Sequence, residues 1–461
     1  MIFNSFEFAV FFPVVFAIYW LLKLRAQNLF LLAASYVFYG FWDWRFLSLI
    51  LFSTIVDFLV AQRIHGSDNP VIRKRWVTLS LVTNLGLLGV FKYFNFFLDS
   101  FVDLMASVGS QANIPALQII LPVGISFYTF QTLSYTIDVY RRDNKPITNL
   151  ADFAVYVAYF PQLVAGPIER STALIPQIQS PRRFDSQQVF SGATLALVGI
   201  FKKVFVADNL APHVDAIFAT PNPGLFTVIA GGYLFAFQIY ADFSGYTDVA
   251  RGISRMLGIE LRLNFNFPYV STSAQEFWRR WHMSLSTWLR DYLYISLGGN
   301  RKGSGRTYLN LMATMVLGGL WHGAAWNFVL WGGYQGACLC VHRWYIARVK
   351  PLFSGNALVH WFKIGLFFQF TCYGWILFRA TSLAQIGEMT TGLFRPEVFD
   401  AVLFLPLLHY VLPMILIEWI YTRESLPPRI APVMRTITYA TAFYLFVFHG
   451  EVSESFLYFQ F

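Results

Sequence analysis

Two histidines offer the most distinctive chemistry in this sequence. His322 is the only strongly ionisable side chain in residues 308–341, a run without Asp, Glu, Lys or Arg. A run this long and apolar reads as a membrane-spanning helix with His322 near its centre. Lipid cannot solvate an ionisable group, so one placed there points by default to function. Imidazole titrates close to neutral pH and can take and return a proton during a reaction. The plainer alternative is a neutral ring that hydrogen-bonds a neighbouring helix. The surroundings favour function. Gly318, Gly319 and Gly323 let backbone approach closely or unwind, Trp321, Trp326 and Trp331 suit the wall of a cavity, and Asn327 adds a second polar group.

His282 has a different setting. Arg279, Arg280 and Arg290 alternate around it with Trp278, Trp281, Trp288, Tyr292 and Tyr294. Basic and aromatic side chains interleaved in this way suit a membrane interface, where His282 could also be one more interfacial residue. A basic glycine turn joins the two regions: Gly298-Gly299-Asn300-Arg301-Lys302-Gly303-Ser304-Gly305-Arg306. Its charge could draw phosphates or an acidic protein, or simply mark a cytoplasmic loop.

The elements that position these residues are transmembrane helices. Apolar residues make up 56% of the 461 and charged residues 13%, and mean hydropathy is +0.50. A soluble chain carries about twice that charged fraction. The composition predicts an all-α polytopic membrane protein in one domain, 1–461, with about ten to twelve transmembrane helices plus re-entrant pieces. The net charge of +9 reads as topology rather than nucleic-acid binding. Cys338, Cys340 and Cys372 lie in apolar runs, and no metal-ligand spacing is present. The first 20 residues have no basic leader, so the first span, about 6–22, is expected to be retained.

Further spans are expected near 28–41, 46–60 and 77–97, then a loop at 99–116 and a fifth span. Residues 151–167, broken by Pro161 and Pro167, read as a kinked or re-entrant piece. Spans near 192–206, 225–243, 359–377, 402–421 and 436–448 complete the series, with soft linkers at 66–70 and 176–188. The basic loops at 63–75 and 141–145 fall on one side, and 99–116 is free of Lys and Arg. The positive-inside rule puts the basic loops in the cytoplasm and the N-terminus outside, with Arg45 the exception. Asp242 and Asp248 read either as partners for arginines in the same core or as groups near the site.

These residues carry a resemblance. Phe277-Trp278-Arg279-Arg280-Trp281-His282 and the following Met283-Ser284-Leu285-Ser286-Thr287-Trp288-Leu289-Arg290-Asp291-Tyr292 are its first part. Leu297-Gly298-Gly299-Asn300-Arg301 and Trp321-His322-Gly323 follow, with Phe160-Pro161-Gln162-Leu163 and Tyr240-Ala241-Asp242-Phe243-Ser244-Gly245-Tyr246 upstream. Together they resemble the membrane-bound O-acyltransferase family, strongest over about 122–331. The nearest branch is the bacterial one that includes alginate O-acetylation and teichoic acid D-alanyl transfer proteins.

The resemblance implies transfer of an acyl group from a thioester to a hydroxyl by a multi-pass protein of the bacterial inner membrane. His322 is then the essential base. His282, often an asparagine in the wider family, is a donor or positioning group. The supporting or substrate-binding set is Trp281, Ser284, Arg290, Asp291 and Tyr292 from the first motif and Asn300 from the turn. Trp321, Gly323, Trp326 and Asn327 join from the second motif, and Asp242 and Tyr246 from the span before them. The donor is acetyl-CoA or an acyl carrier thioester, and no permanently bound cofactor or metal is expected. The partners are the bilayer and a polysaccharide such as alginate, or a periplasmic acetyltransferase that passes the group on. D-alanyl transfer from a carrier protein remains open, as does a transporter or flippase using the same intramembrane groups.

Overall fold

The computed structural model describes residues 1–110, 119–164, 166–349, 356–422 and 431–451. Among these the regular structure is helical, without strands. Five stretches are long and apolar enough to cross a membrane: Leu24–His65, Pro70–Ser107, Ser186–Phe218, Leu225–Met256 and Ala401–Thr422. Two compact units form, Met1–Gly192 with Ile253–Arg262, and Ala193–Gly252 with Leu263–Phe461.

The first unit holds α1 (Phe6–Leu21), α2 (Leu24–Asp43), α3 (Leu47–His65), α4 (Pro70–Leu88), α5 (Phe94–Ser107), α6 (Ile125–Arg141), α7 (Leu150–Ala158), α8 (Phe160–Leu163) and α9 (Ser171–Gln179). Asn69 starts α4: its side chain accepts from the N–H groups of Val71 and Ile72, and Pro70 fills the first helical position. The helix then continues through a π-turn at Gly89–Tyr93 into α5. The loop expected at 99–116 therefore begins later. Residues 99–107 are helical, because no glycine or proline interrupts them, and residues 111–118 lie outside the described part. The expected break at 151–167 is present: Tyr159, at ψ 107, separates α7 from α8. The linker expected at 176–188 shrinks to 180–185, since Pro176 lies inside α9 and α10 begins at Ser186.

Three helices of this unit share a polar layer. Each gives two buried polar residues four apart: Ser53 and Asp57 on α3, Ser80 and Asn84 on α4, Thr132 and Thr136 on α6. That spacing puts both members on one helix face. Asp57 accepts from the Ser80 hydroxyl, from Asn84 Nδ2 at 2.8 Å and from Thr136 Oγ1 at 3.2 Å. At the end of these helices Arg142 Nη2 meets Asp68 Oδ1 at 2.8 Å, so the two basic loops lie at the same end.

The second unit holds α10 (Ser186–Phe201, from residue 193), α11 (Asp208–Phe218), α12 (Leu225–Met256, to residue 252), α13 (Ala274–Arg280), α14 (Met283–Trp288), α15 (Gly303–His322), α16 (Trp326–Arg348), α17 (Ala357–Arg379), α18 (Leu383–Gly392), α19 (Leu412–Thr422) and α20 (Ala431–His449). Here the sequence reading needs correction. The charge-free run 308–341 is not one helix. Gly323 and Ala325 are extended, at φ −156 and −155, and they split it into the antiparallel pair α15 and α16. His322 therefore sits on the last turn of α15, beside the hairpin turn, and not at the middle of a span.

The seam of that hairpin explains the glycines. A Cβ on Gly319 would lie 2.2 Å from the Phe328 carbonyl oxygen, and one on Gly332 would lie 2.4 Å from the Met315 carbonyl oxygen. Only a residue without a side chain lets two helix backbones close to this distance.

Candidate active site

His282 is set by the turn between α13 and α14. Ser273 starts α13 by accepting from Glu276 N–H, and Glu276 reaches back to Thr272 N–H, a reciprocal cap. The helix ends at Trp281, and His282 takes a left-handed backbone, φ 42 and ψ 54. Its Nδ1 accepts from Leu285 N–H at 3.2 Å, so the side chain caps α14. The consequence is chemical. With Nδ1 used as an acceptor, the neutral ring carries its proton on Nε2. That nitrogen is buried and has no partner among the described residues. The imidazole is fully buried, with its ring 4.7 Å from Phe243 on α12 and 5.9 Å from Trp321.

His322 arrives from the other side. Its ring is buried, edge-on to Trp331 at 5.1 Å and to Phe378 at 5.6 Å. The two imidazole centroids are 6.3 Å apart at 82°. Forty residues apart in sequence, the two rings are packed against each other and against buried aromatics. Trp281 contributes, packed 4.7 Å from Trp375. Trp375 and Phe378, one turn apart on α17, were not singled out from the sequence. An i, i+3 aromatic pair in an apolar run looks like ordinary core, and only the fold sets Phe378 against His322 and Trp375 against Trp281 and Trp331.

The other expected residues divide. Trp321 and Gly323 are at the site, and a Cβ on Gly323 would strike the Phe328 ring at 2.1 Å. Ser284 is buried behind His282, bonded to Asn264. Asn327 is buried and donates to the carbonyls of Phe378 and Ala380, which ties the end of α17 to α16. Tyr292 is buried 5.1 Å from Trp288. Others are not brought to the pair. Trp326 is 54% exposed. Arg290 is exposed and bonds Asp291 at 2.7 Å. Asn300 is exposed, accepting from Tyr294 Oη, on the turn before α15. His322 lies at the far end of that 20-residue helix, about 30 Å away.

Asp242 and Asp248 resolve as partners of cations, but chiefly of lysines. Lys203 meets Asp242 and Asp208, each at 2.7 Å. Lys202 meets Asp248 at 2.9 Å and Glu418 at 2.7 Å, and Arg251 also reaches Asp248. Tyr240 donates to Glu418. Buried charges need such pairing. Tyr246 is buried one turn beyond Asp242. α12 reaches His282 through Phe243 instead.

Comparison with known proteins identifies the family. The model of the membrane-bound O-acyltransferase family matches residues 141–386. A probable alginate O-acetylase of Azotobacter vinelandii is 43% identical over 86% of this chain and 78% of its own length. The peptidoglycan O-acetyltransferase of Helicobacter pylori is 35% identical over 85% of this chain and 80% of its own. The teichoic acid D-alanyltransferase of Bacillus subtilis is 27% identical over 58% and 71%. The transporter alternative gives way to an enzyme. With both histidine motifs inside the matched region and its apolar helices those of a multi-pass membrane protein, the chain belongs to the membrane-bound O-acyltransferase family.

Proposed function

We propose that this O-acetyltransferase passes an acetyl group from a cytoplasmic thioester, acetyl-CoA or an acyl carrier, to a polysaccharide hydroxyl outside the membrane, alginate being the favoured polymer. The observation that carries the reading is the pair of buried imidazoles, 6.3 Å apart, one of which has a fixed tautomer. His322 removes the proton as the hydroxyl oxygen attacks the thioester carbonyl. The new C–O bond forms, and the carbonyl oxygen becomes an oxyanion. His282 Nε2–H donates to that oxygen. The C–S bond then breaks, and the leaving thiolate takes the proton back from His322. The acceptor is the polymer itself or a periplasmic acetyltransferase that relays the group.

Acetyl is favoured over D-alanyl because the acetylating relatives match more of the chain at higher identity. Sidedness follows from charge. The basic loops that meet at Arg142 and Asp68 are placed in the cytoplasm of the bacterial inner membrane.

The test is reconstitution in sealed vesicles with the thioester supplied on the side of the Asp68 loop only. Labelled acetyl on an oligouronate or partner protein inside the vesicle is the expected result. Label that stays with the donor, or that appears only when donor and acceptor share a side, rejects transfer across the membrane.

A further inference from the structure

The segment just before α13 has no part in the chemistry above, yet it holds the turn that carries His282. Residues 264–266 pass beside 280–284 and exchange backbone bonds with that segment in both directions. Asn266 N–H donates to the Arg280 carbonyl at 2.9 Å, and Met283 N–H donates to the Asn264 carbonyl at 2.9 Å. The Asn264 side chain adds two more bonds. Its Oδ1 accepts from Ser284 N–H at 3.1 Å and from Ser284 Oγ at 3.0 Å. Asn264 is fully buried. Between these contacts lies His282, in a left-handed conformation that a residue with a Cβ keeps only when its surroundings enforce it. The same strap sends Phe265 to the ring side, 4.9 Å from both Trp281 and Phe243.

We infer that Asn264 is a positioning residue for acyl transfer: its Oδ1 clamps the first turn of α14, so that the His282 backbone stays left-handed and its Nδ1 stays bonded to Leu285. The clamp acts on the donor nitrogen through backbone geometry. Once Ser284 is released, the first turn of α14 shifts, Nδ1 loses its fixed N–H, and the proton on Nε2 is no longer the single ring state. This rests on the reading of His282 as the donor to the carbonyl oxygen.

The test uses the full-length protein in detergent or vesicles. Asn264→Leu removes the acceptor at similar size, and Asn264→Asp keeps an oxygen at that position. Asn264→Leu should lower kcat about 10- to 100-fold, the scale of a small misplacement in an active site. The donor KM should stay within about twofold and the melting midpoint within a few degrees, with Asn264→Asp recovering part of the rate. On a His282→Asn background the same change should cost less than about threefold, because residues acting as one unit are not additive. A loss carried by KM, an equal loss in both backgrounds, or an unchanged rate overturns the inference. Should Asn264→Leu not fold, Ser284→Ala removes the hydroxyl arm alone. A kcat drop of about 2- to 5-fold then supports the clamp, and a normal kcat overturns it. Nitrogen NMR of labelled histidine reads the ring directly. A single Nε2–H tautomer at His282 that becomes mixed in Asn264→Leu is expected, and an unchanged tautomer overturns the clamp. A wild-type protein that transfers no acyl group, with that tautomer change intact, would instead overturn the proposed function.

Discussion

Replacing Gly332 by Ala tests how finely the α15–α16 seam sets the site. The added Cβ would sit 2.4 Å from the Met315 carbonyl oxygen and 2.9 Å from Val316 Cα, whereas ordinary contact begins at 3.4 Å. The helices must therefore part locally by 3.4 − 2.4 = 1.0 Å. Neither backbone can yield as a flexible side chain would. Trp331 is the adjacent residue and its ring lies 5.1 Å from His322, so the shift moves the wall against the base. Overpacking of this kind costs about 1–3 kcal/mol of stability, and a misplacement near 1 Å costs up to about 100-fold in rate. The assay is transfer from a labelled acetyl thioester in isolated membranes, with the melting midpoint of the solubilised protein beside it. Gly333→Ala is the control, because a Cβ there meets nothing within 4 Å. Gly332→Ala should lose roughly 10- to 100-fold while Gly333→Ala stays within about twofold. Equal activity in the two variants would refute the argument that the hairpin seam positions His322.

His322→Ala should reduce transfer by at least about 100-fold, the usual scale for a general base, with the folded protein still recovered in detergent; near-normal acetylation in that variant removes His322 from the mechanism. His282→Asn should retain measurable turnover because an amide can still donate, whereas His282→Leu should lose most of it, and equal losses would mean that donation is not what the position supplies. For sidedness, Cys338 and Cys340 are first replaced by serine, buried Cys372 is kept, and one cysteine is placed at Asp68 or Ser107. These positions are exposed at opposite parts of a chain segment that includes the 38-residue helical stretch Pro70–Ser107. An impermeant thiol reagent on cells with a permeable outer envelope should label position 107 and spare 68, and the reverse pattern turns the proposed direction of transfer over.

Much of the site was legible before the fold. His322 stands out because a charge-free run isolates it, and His282 because the basic–aromatic motif ends on it. Of the glycines flagged as points of close approach, Gly319 has backbone and Gly323 a ring against it, whereas Gly318 meets only the Leu289 side chain. Residue type misled where motif membership stood in for position. Arg290, Asp291 and Asn300 share the motifs, yet they are half-exposed or exposed, and Trp326 faces outward although Trp321 and Trp331 do not. A helix turn of 100° per residue decides that, and the register at the α15–α16 break was not readable beforehand.

The sequence by itself determined an all-α membrane protein and singled out two histidines as candidate reactive groups. Lipid imposes the first of these, because a chain this apolar must satisfy its backbone within helices. Tertiary structure alone decided the rest. It split the apolar run at Gly323 and set His322 beside a turn. It drew Phe378 from α17 against His322 and Trp375 against Trp281, and gave Asp242 and Asp248 to Lys203 and Lys202. It also bonded Asn264 to Ser284, and Leu285 N–H to Nδ1 of His282. Apart from that last bond, each of these depends on contacts between residues far apart in the chain. Local propensity and periodicity report only which face of a helix is apolar, and packing selects what that face meets.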